Sequence, residues 1–117
     1  MKVYKVVRYN GVQLRSMFAA GEHCLTYEPG VETTGPHGTP LLAFDWLHLA
    51  KQWAKDHNGQ VWEAEAVAAR HVGVLSGGNS LGYGAFWNNR WAFRGPTIPA
   101  PAGTVACEKI TLTKRVT

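Results

Sequence analysis

"LLAFDWLHLAKQWAKDHNGQVWEAEAVAA", residues 41–69, changes its hydrophobic period twice, and those two changes decide the fold. Its first five residues are a short apolar run ending in Asp45, which reads as a buried strand followed by a helix N-cap. From Trp46 the period becomes helical. Trp46, Leu49, Ala50, Trp53 and Ala54 recur at helical spacing and build one apolar stripe, with His48, Lys51, Gln52 and Lys55 on the other face. A helix is expected over about 46–57, stopped by Gly59. At Gln60 the period drops to two: Trp62, Ala64 and Ala66 share one face of a strand, and Glu63 and Glu65 share the other.

The flanking sequence repeats the strand pattern. In "KVYKVVRYNG" (2–11), Val3, Lys5 and Val7 alternate with Tyr4, Val6 and Arg8, and Asn10-Gly11 predicts a two-residue type I′ turn into "VQLRSMFA" (12–19). "HCLTYEPG" (23–30) is a short strand closed by Pro29-Gly30. "VETTGPHGTP" (31–40) and "GPTIPAPAGT" (95–104) are expected to be loops, and "VACEKITLTKRV" (105–116) one final strand. The expectation is a single α+β domain over residues 1–117: a small, mostly antiparallel sheet of about six strands with one amphipathic helix on one face.

Composition narrows the function classes. The 117 residues carry 45% hydrophobic and 17% charged side chains, the balance of a globular chain. The start of the chain lacks the unbroken apolar run of a signal peptide, and no stretch approaches the roughly 20 apolar residues of a membrane span. No membrane partner is expected, and a cytoplasmic location is. Cys24 and Cys107 lie far apart with no CxxC, so reduced thiols are expected, with a Cys24–Cys107 bridge as the alternative. His37, His48, His57 and His71 show no metal-ligand spacing, and adjacent strand residues such as His23 and Cys24 point to opposite faces. The net charge of +4 suits an anionic partner. Its 12 basic residues are scattered among eight acidic ones, which argues against nucleic acid.

"GYGAFWNNRWAFRG", residues 82–95, is the main candidate site. It sets Phe86, Trp87, Trp91 and Phe93 beside Arg90 and Arg94, and bases stack on aromatic rings while phosphates take bidentate contacts from arginine. The plainer alternative is a core strand pair with solvated arginines. The loop "TTGPHGTP" (33–40) adds hydroxyls, His37 and backbone N–H groups of the kind that cradle anions. The candidate ligand-binding set is Arg8, Tyr27, His37, Trp87, Arg90, Trp91 and Arg94, with no metal and no cofactor.

Two resemblances extend this reading. Glu63-Ala64-Glu65 is similar to the paired glutamates of ADP-ribosyltransferases, with Arg8 and Thr33-Thr34 in the order of that class's Arg and Ser/Thr elements. The interval from Arg8 to Glu65 is short for that class, and the middle element lacks its serine pattern. "YKVVRYNG", "LLAFD", the helix after it and "VWEAEA" resemble a loose group of small bacterial and phage proteins, across roughly the first 67 residues. That likeness implies an α+β fold and a microbial or viral source.

The first function expected is a non-enzymatic protein that sequesters an anionic, nucleotide-like small molecule, as phage-encoded anti-defence sponges do. A homo-oligomer is expected with it, since small proteins often build pockets between subunits. One alternative is a protein–protein inhibitor or adaptor whose exposed Trp and Arg form the contact. The other is a compact ADP-ribosyltransferase-like enzyme using NAD, with Arg8, Tyr27 and Glu65 as its catalytic residues.

Overall fold

A computed structural model describes residues 1–16, 25–35, 40–71, 74–76, 97–99 and 102–117. In chain order the elements are β1 (Lys2–Tyr9), β2 (Leu14–Ser16), β3 (Thr26–Tyr27), β4 (Glu32–Thr34), β5 (Leu41–Phe44), α1 (Leu47–His57), β6 (Gln60–Val67), β7 (Arg70–His71), β8 (Val74–Ser76), β9 (Thr97–Pro99), β10 (Thr104–Cys107) and β11 (Lys109–Arg115). The protein is α+β. One antiparallel sheet of nine strands runs β4-β11-β6-β1-β5-β10-β7, β2 and β3 branch from β1, and β8 pairs with β9 in a separate ribbon.

The expected count of about six strands was low because β4 and β7 are only two or three residues long, too short for any periodicity, while β3 falls in the short strand expected over 23–30. Residues 32–34, expected in a loop, form β4 against β11, and the proline-rich segment supplies β9. The expected two-residue turn at Asn10-Gly11 is a four-residue loop between the paired Tyr9 and Leu14. The Asn10 side chain sets it: Oδ1 accepts the backbone N–H groups of Val12 and Gln13 at 2.9 and 2.8 Å.

The final expected strand is in fact two, broken at Glu108 and placed far apart in the sheet order. β10 pairs with β5 and β7, and β11 pairs with β6 and β4. In a flat sheet those positions would be four inter-strand spacings apart, about 19 Å. Cys107 and Lys109 are two residues apart and span at most about 7 Å. The sheet therefore curls on itself. The main core fills the concave side, with Val3, Val7, Val105, Ile110 and Leu112 all essentially inaccessible.

The convex side carries α1, which leaves β5 and returns into β6, crossing β1 between them. Ala50 and Ala54 are buried against Val6, Phe44 and Val61, with Leu49 and Trp53 flanking them. Two alanines at the contact let the helix approach the strands closely. The polar face lies outward as expected: His48, Lys51, Gln52 and Lys55 are exposed. Asp45 does not cap the helix. Trp46 occupies the N-cap with extended backbone and no side-chain cap, and the residue is 60% exposed instead of joining the apolar stripe. At the other end Asn58 takes the left-handed conformation, and the Gly59 N–H closes the turn on the Ala54 carbonyl at 2.8 Å. Among the described residues no helix is long and apolar enough to cross a membrane.

Candidate functional site

The four-residue loop after β1 sets a register with a chemical consequence. Arg8 of β1 lies directly opposite Arg15 of β2, and Arg15 lies directly opposite Thr26 of β3. Cross-strand partners project from the same face, so the three side chains form one row, beyond the point where β6 has stopped pairing with β1. Arg8 and Thr26 are exposed and Arg15 is half-buried. Each arginine also makes a further contact of its own. Two guanidiniums placed opposite each other repel, and an anion between them reverses the sign of that interaction. The row offers two planar forks and a hydroxyl, a donor set suited to phosphate oxygens.

Neighbouring rows face the other way. Tyr9, Leu14 and Tyr27 are in register on the concave side, and Tyr27 is buried there among Val3, Val7 and Leu41. Arg8 and Tyr27, read together from the sequence, therefore lie on opposite faces. Glu65 is opposite Lys2, six residues along β1 from Arg8 and hence about 20 Å away. It sits 3.7 Å from the N-terminal ammonium. The structure does not bring Arg8, Tyr27 and Glu65 together. His37, Trp87, Arg90, Trp91 and Arg94 lie outside the described residues, as does Cys24; Cys107 is a buried free thiol.

No family model, curated protein or solved structure matches this chain. Its function must be argued from its own side chains.

Three further arrangements stand out. Lys5 is buried on the concave side, where its Nζ donates to the Leu42 carbonyl at 2.5 Å and lies 5.2 Å from the centre of the Tyr27 ring. The β-ladder explains that bond. Tyr4 pairs with Phe44 of β5, but by Val7 the same edge of β1 has been taken over by β2. The Leu42 carbonyl is left facing the fork, and the ammonium fills it. Tyr27 Oη, also buried, has no hydrogen-bond partner among the described residues. An interior ion costs several kcal/mol, and an orphaned hydroxyl about 1–3 kcal/mol.

At the end of β5, Asp45 spends its carboxylate on His71 of β7, whose Nε2–H donates to Oδ2. The Asp45 backbone N–H donates to the Gly103 carbonyl at 2.9 Å, so the residue is held at both ends. That bond explains the missing helix cap. Beside it, Phe44, Leu49, Gln52, Trp53, Asp56 and Ala102 line a cleft of about 210 Å³. Glu63, the other glutamate of the pair, is engaged by Lys2 at 2.6 Å. The Lys2 hydrogen bond holds the Glu63 carboxyl below its ordinary range, and the same bond raises the Lys2 ammonium. Among the described residues no group of three or more His, Cys, Asp or Glu side chains is placed to hold a metal ion.

Sequence reasoning found Arg8 and missed Arg15 and Thr26, because a two-residue turn at Asn10-Gly11 gives a different register. Fixing the loop at four residues would have paired the arginines. Lys5 was visible as a charged residue in the apolar row of Val3 and Val7. The Asp45–His71 pair had no local signal, since 26 residues separate its partners.

Proposed function

We propose that this chain is a non-enzymatic binding protein that sequesters an anionic, nucleotide-like small molecule, with Arg8, Arg15 and Thr26 holding its phosphate. The observation that carries this reading is the register placing two guanidiniums and a hydroxyl in one cross-strand row. His37, Trp87, Arg90, Trp91 and Arg94 are the sequence's candidates for the remainder of the ligand, with the indoles stacking on its base. The fuller form of the proposal is a homo-oligomeric, phage-encoded sponge working in the host cytoplasm, in keeping with the sequence's resemblance to a loose group of small bacterial and phage proteins.

The test is native mass spectrometry of the freshly purified protein, followed by gentle denaturation and a mass scan of what is released. A phosphate-bearing small molecule is expected. Once it is identified, calorimetry on Arg8→Ala and Arg15→Ala should show each losing about 1.5–3 kcal/mol of binding, roughly 10- to 150-fold in Kd, with the fold intact. A protein that binds the released molecule equally well with both arginines removed would refute the assignment of this row.

A further inference from the structure

Beside α1 the surface opens into a cleft of about 210 Å³ that the arginine row does not use. Leu49, Gln52, Trp53 and Asp56 recur at helical spacing along one side of it, and Phe44 from the end of β5 and Ala102 just before β10 complete the lining. The Trp53 indole is fixed by its neighbours. Its ring centre lies 6.2 Å from that of Phe44 and 4.3 Å from that of His57, whose Nδ1–H donates to the Trp53 carbonyl at 2.9 Å. Among the described residues lining the cleft, Asp56 alone is charged. Among the described residues neither Asp56 nor Gln52 makes an ion pair or a side-chain hydrogen bond.

A chain of net charge +4 thus sets a carboxylate and two aromatic rings around one concave space. Aromatic faces carry partial negative charge, and an ionised carboxylate only accepts hydrogen bonds. An anion would be repelled by all three groups, and an uncharged apolar ligand would strip water from Asp56 and put nothing in its place. A cation satisfies them together, and the Gln52 amide oxygen adds an acceptor for its N–H groups. We propose that this cleft is a second binding site, for a small organic ammonium. Its cationic head lies between the Trp53 ring and the Asp56 carboxylate, and its apolar part rests against Phe44, Leu49 and Ala102. The cleft is smaller than the roughly 300 Å³ at which pockets for drug-sized ligands begin, so the ligand is a fragment-sized molecule. The arginine row is elsewhere: Phe44 pairs with Tyr4, and Arg8 is four residues further along β1, about 13 Å away. Neither proposal depends on the other.

Benzylammonium and tetramethylammonium are the probes, titrated into the full chain and followed by the shift of the Trp53 indole N–H signal in NMR, with benzyl alcohol as the uncharged control. At least one ammonium should bind, more tightly than the alcohol, and move the Trp53 signal. Asp56→Asn, an exposed and nearly isosteric change, should weaken binding about fivefold, the upper end for a solvent-accessible charge pair. Trp53→Leu should weaken it about tenfold through the lost ring face. Because Trp53 also packs on the core, the wild-type and Asp56→Asn titrations carry the test if that variant fails to fold. The site is overturned if neither ammonium binds at millimolar concentration, or if binding leaves the Trp53 signal in place. It is equally overturned if benzyl alcohol binds as tightly as benzylammonium, or if Asp56→Asn binds as the wild type does; the cleft is then a plain apolar groove.

Discussion

Replacing Gly103 by alanine tests the packing around Asp45, and the structure supplies its own control. Gly103 and Gly30 both adopt a left-handed backbone, with φ of +77° and +80°. Each alanine therefore carries the same backbone penalty, about 1–2 kcal/mol. Their surroundings differ. A Cβ on Gly30 meets nothing within 4 Å, whereas one on Gly103 lies 2.6 Å from Leu49 Cδ1 and 2.8 Å from Asp45 Oδ1. Leu49 borders the cleft beside α1 and has room to swing away. Asp45 does not, because His71 and the Gly103 carbonyl hold it at both ends. The unrelieved clash is then with the carboxylate, and overpacking of this kind costs about 1–3 kcal/mol. Gly103→Ala should be destabilised beyond Gly30→Ala by that amount, about 4–12 °C in Tm for a domain of this size. Urea unfolding of both variants measures the difference at constant m. Repeating Gly103→Ala in a His71→Ala background frees the carboxylate, so the extra cost should shrink. Equal costs for the two glycines, or an extra cost indifferent to His71, would refute the account of how Asp45 is held.

Other expectations follow from the core and from the ionisable groups. Ile110 is fully buried on the strand that brings the curl together, and Ile110→Ala should cost about 2–5 kcal/mol in chemical denaturation. Burial pushes the Cys107 thiol up from its ordinary 9.0 to about 11. The folded state favours the protonated thiol, so this contribution is complete below pH 9 and is lost as the pH rises through about 11. Unfolding measured at intervals over that window should show the wild type losing roughly 2–3 kcal/mol more than Cys107→Ala. Glu63 behaves in the opposite sense. Lys2 lowers its carboxyl, so the pair stabilises above pH 4.5 and fades as the pH falls through the folded value. The stability difference between the wild type and Glu63→Gln should therefore close in acid, and it should be small throughout because both side chains are partly solvated.

What the sequence made legible was whatever a local period could encode. The alternation in 2–9 and 60–67 and the helical stripe in 46–57 gave the α+β class, and Ala50 and Ala54 face the strands as the stripe requires. What it left illegible depends on distant partners. Glu108 interrupts no alternation that a reader would notice, yet β10 and β11 diverge there because each has a different neighbour to pair with. Asp45 has the chemistry of an N-cap, but a histidine 26 residues away competes for its carboxylate more strongly than the backbone N–H groups of α1. The same holds for the arginine row and for Lys5. Arg15 is not unusual in its own segment, whereas Lys5 stands out as a charge in the apolar row of Val3 and Val7. Arg15 becomes a binding candidate because the loop at Asn10 places it opposite Arg8, and Lys5 is held indoors because the curl encloses it beside Tyr27. In each case a charge that local rules would assign to solvent is placed elsewhere by tertiary pairing. Such a conflict between local and tertiary preference is where function is to be sought when the comparisons supply none.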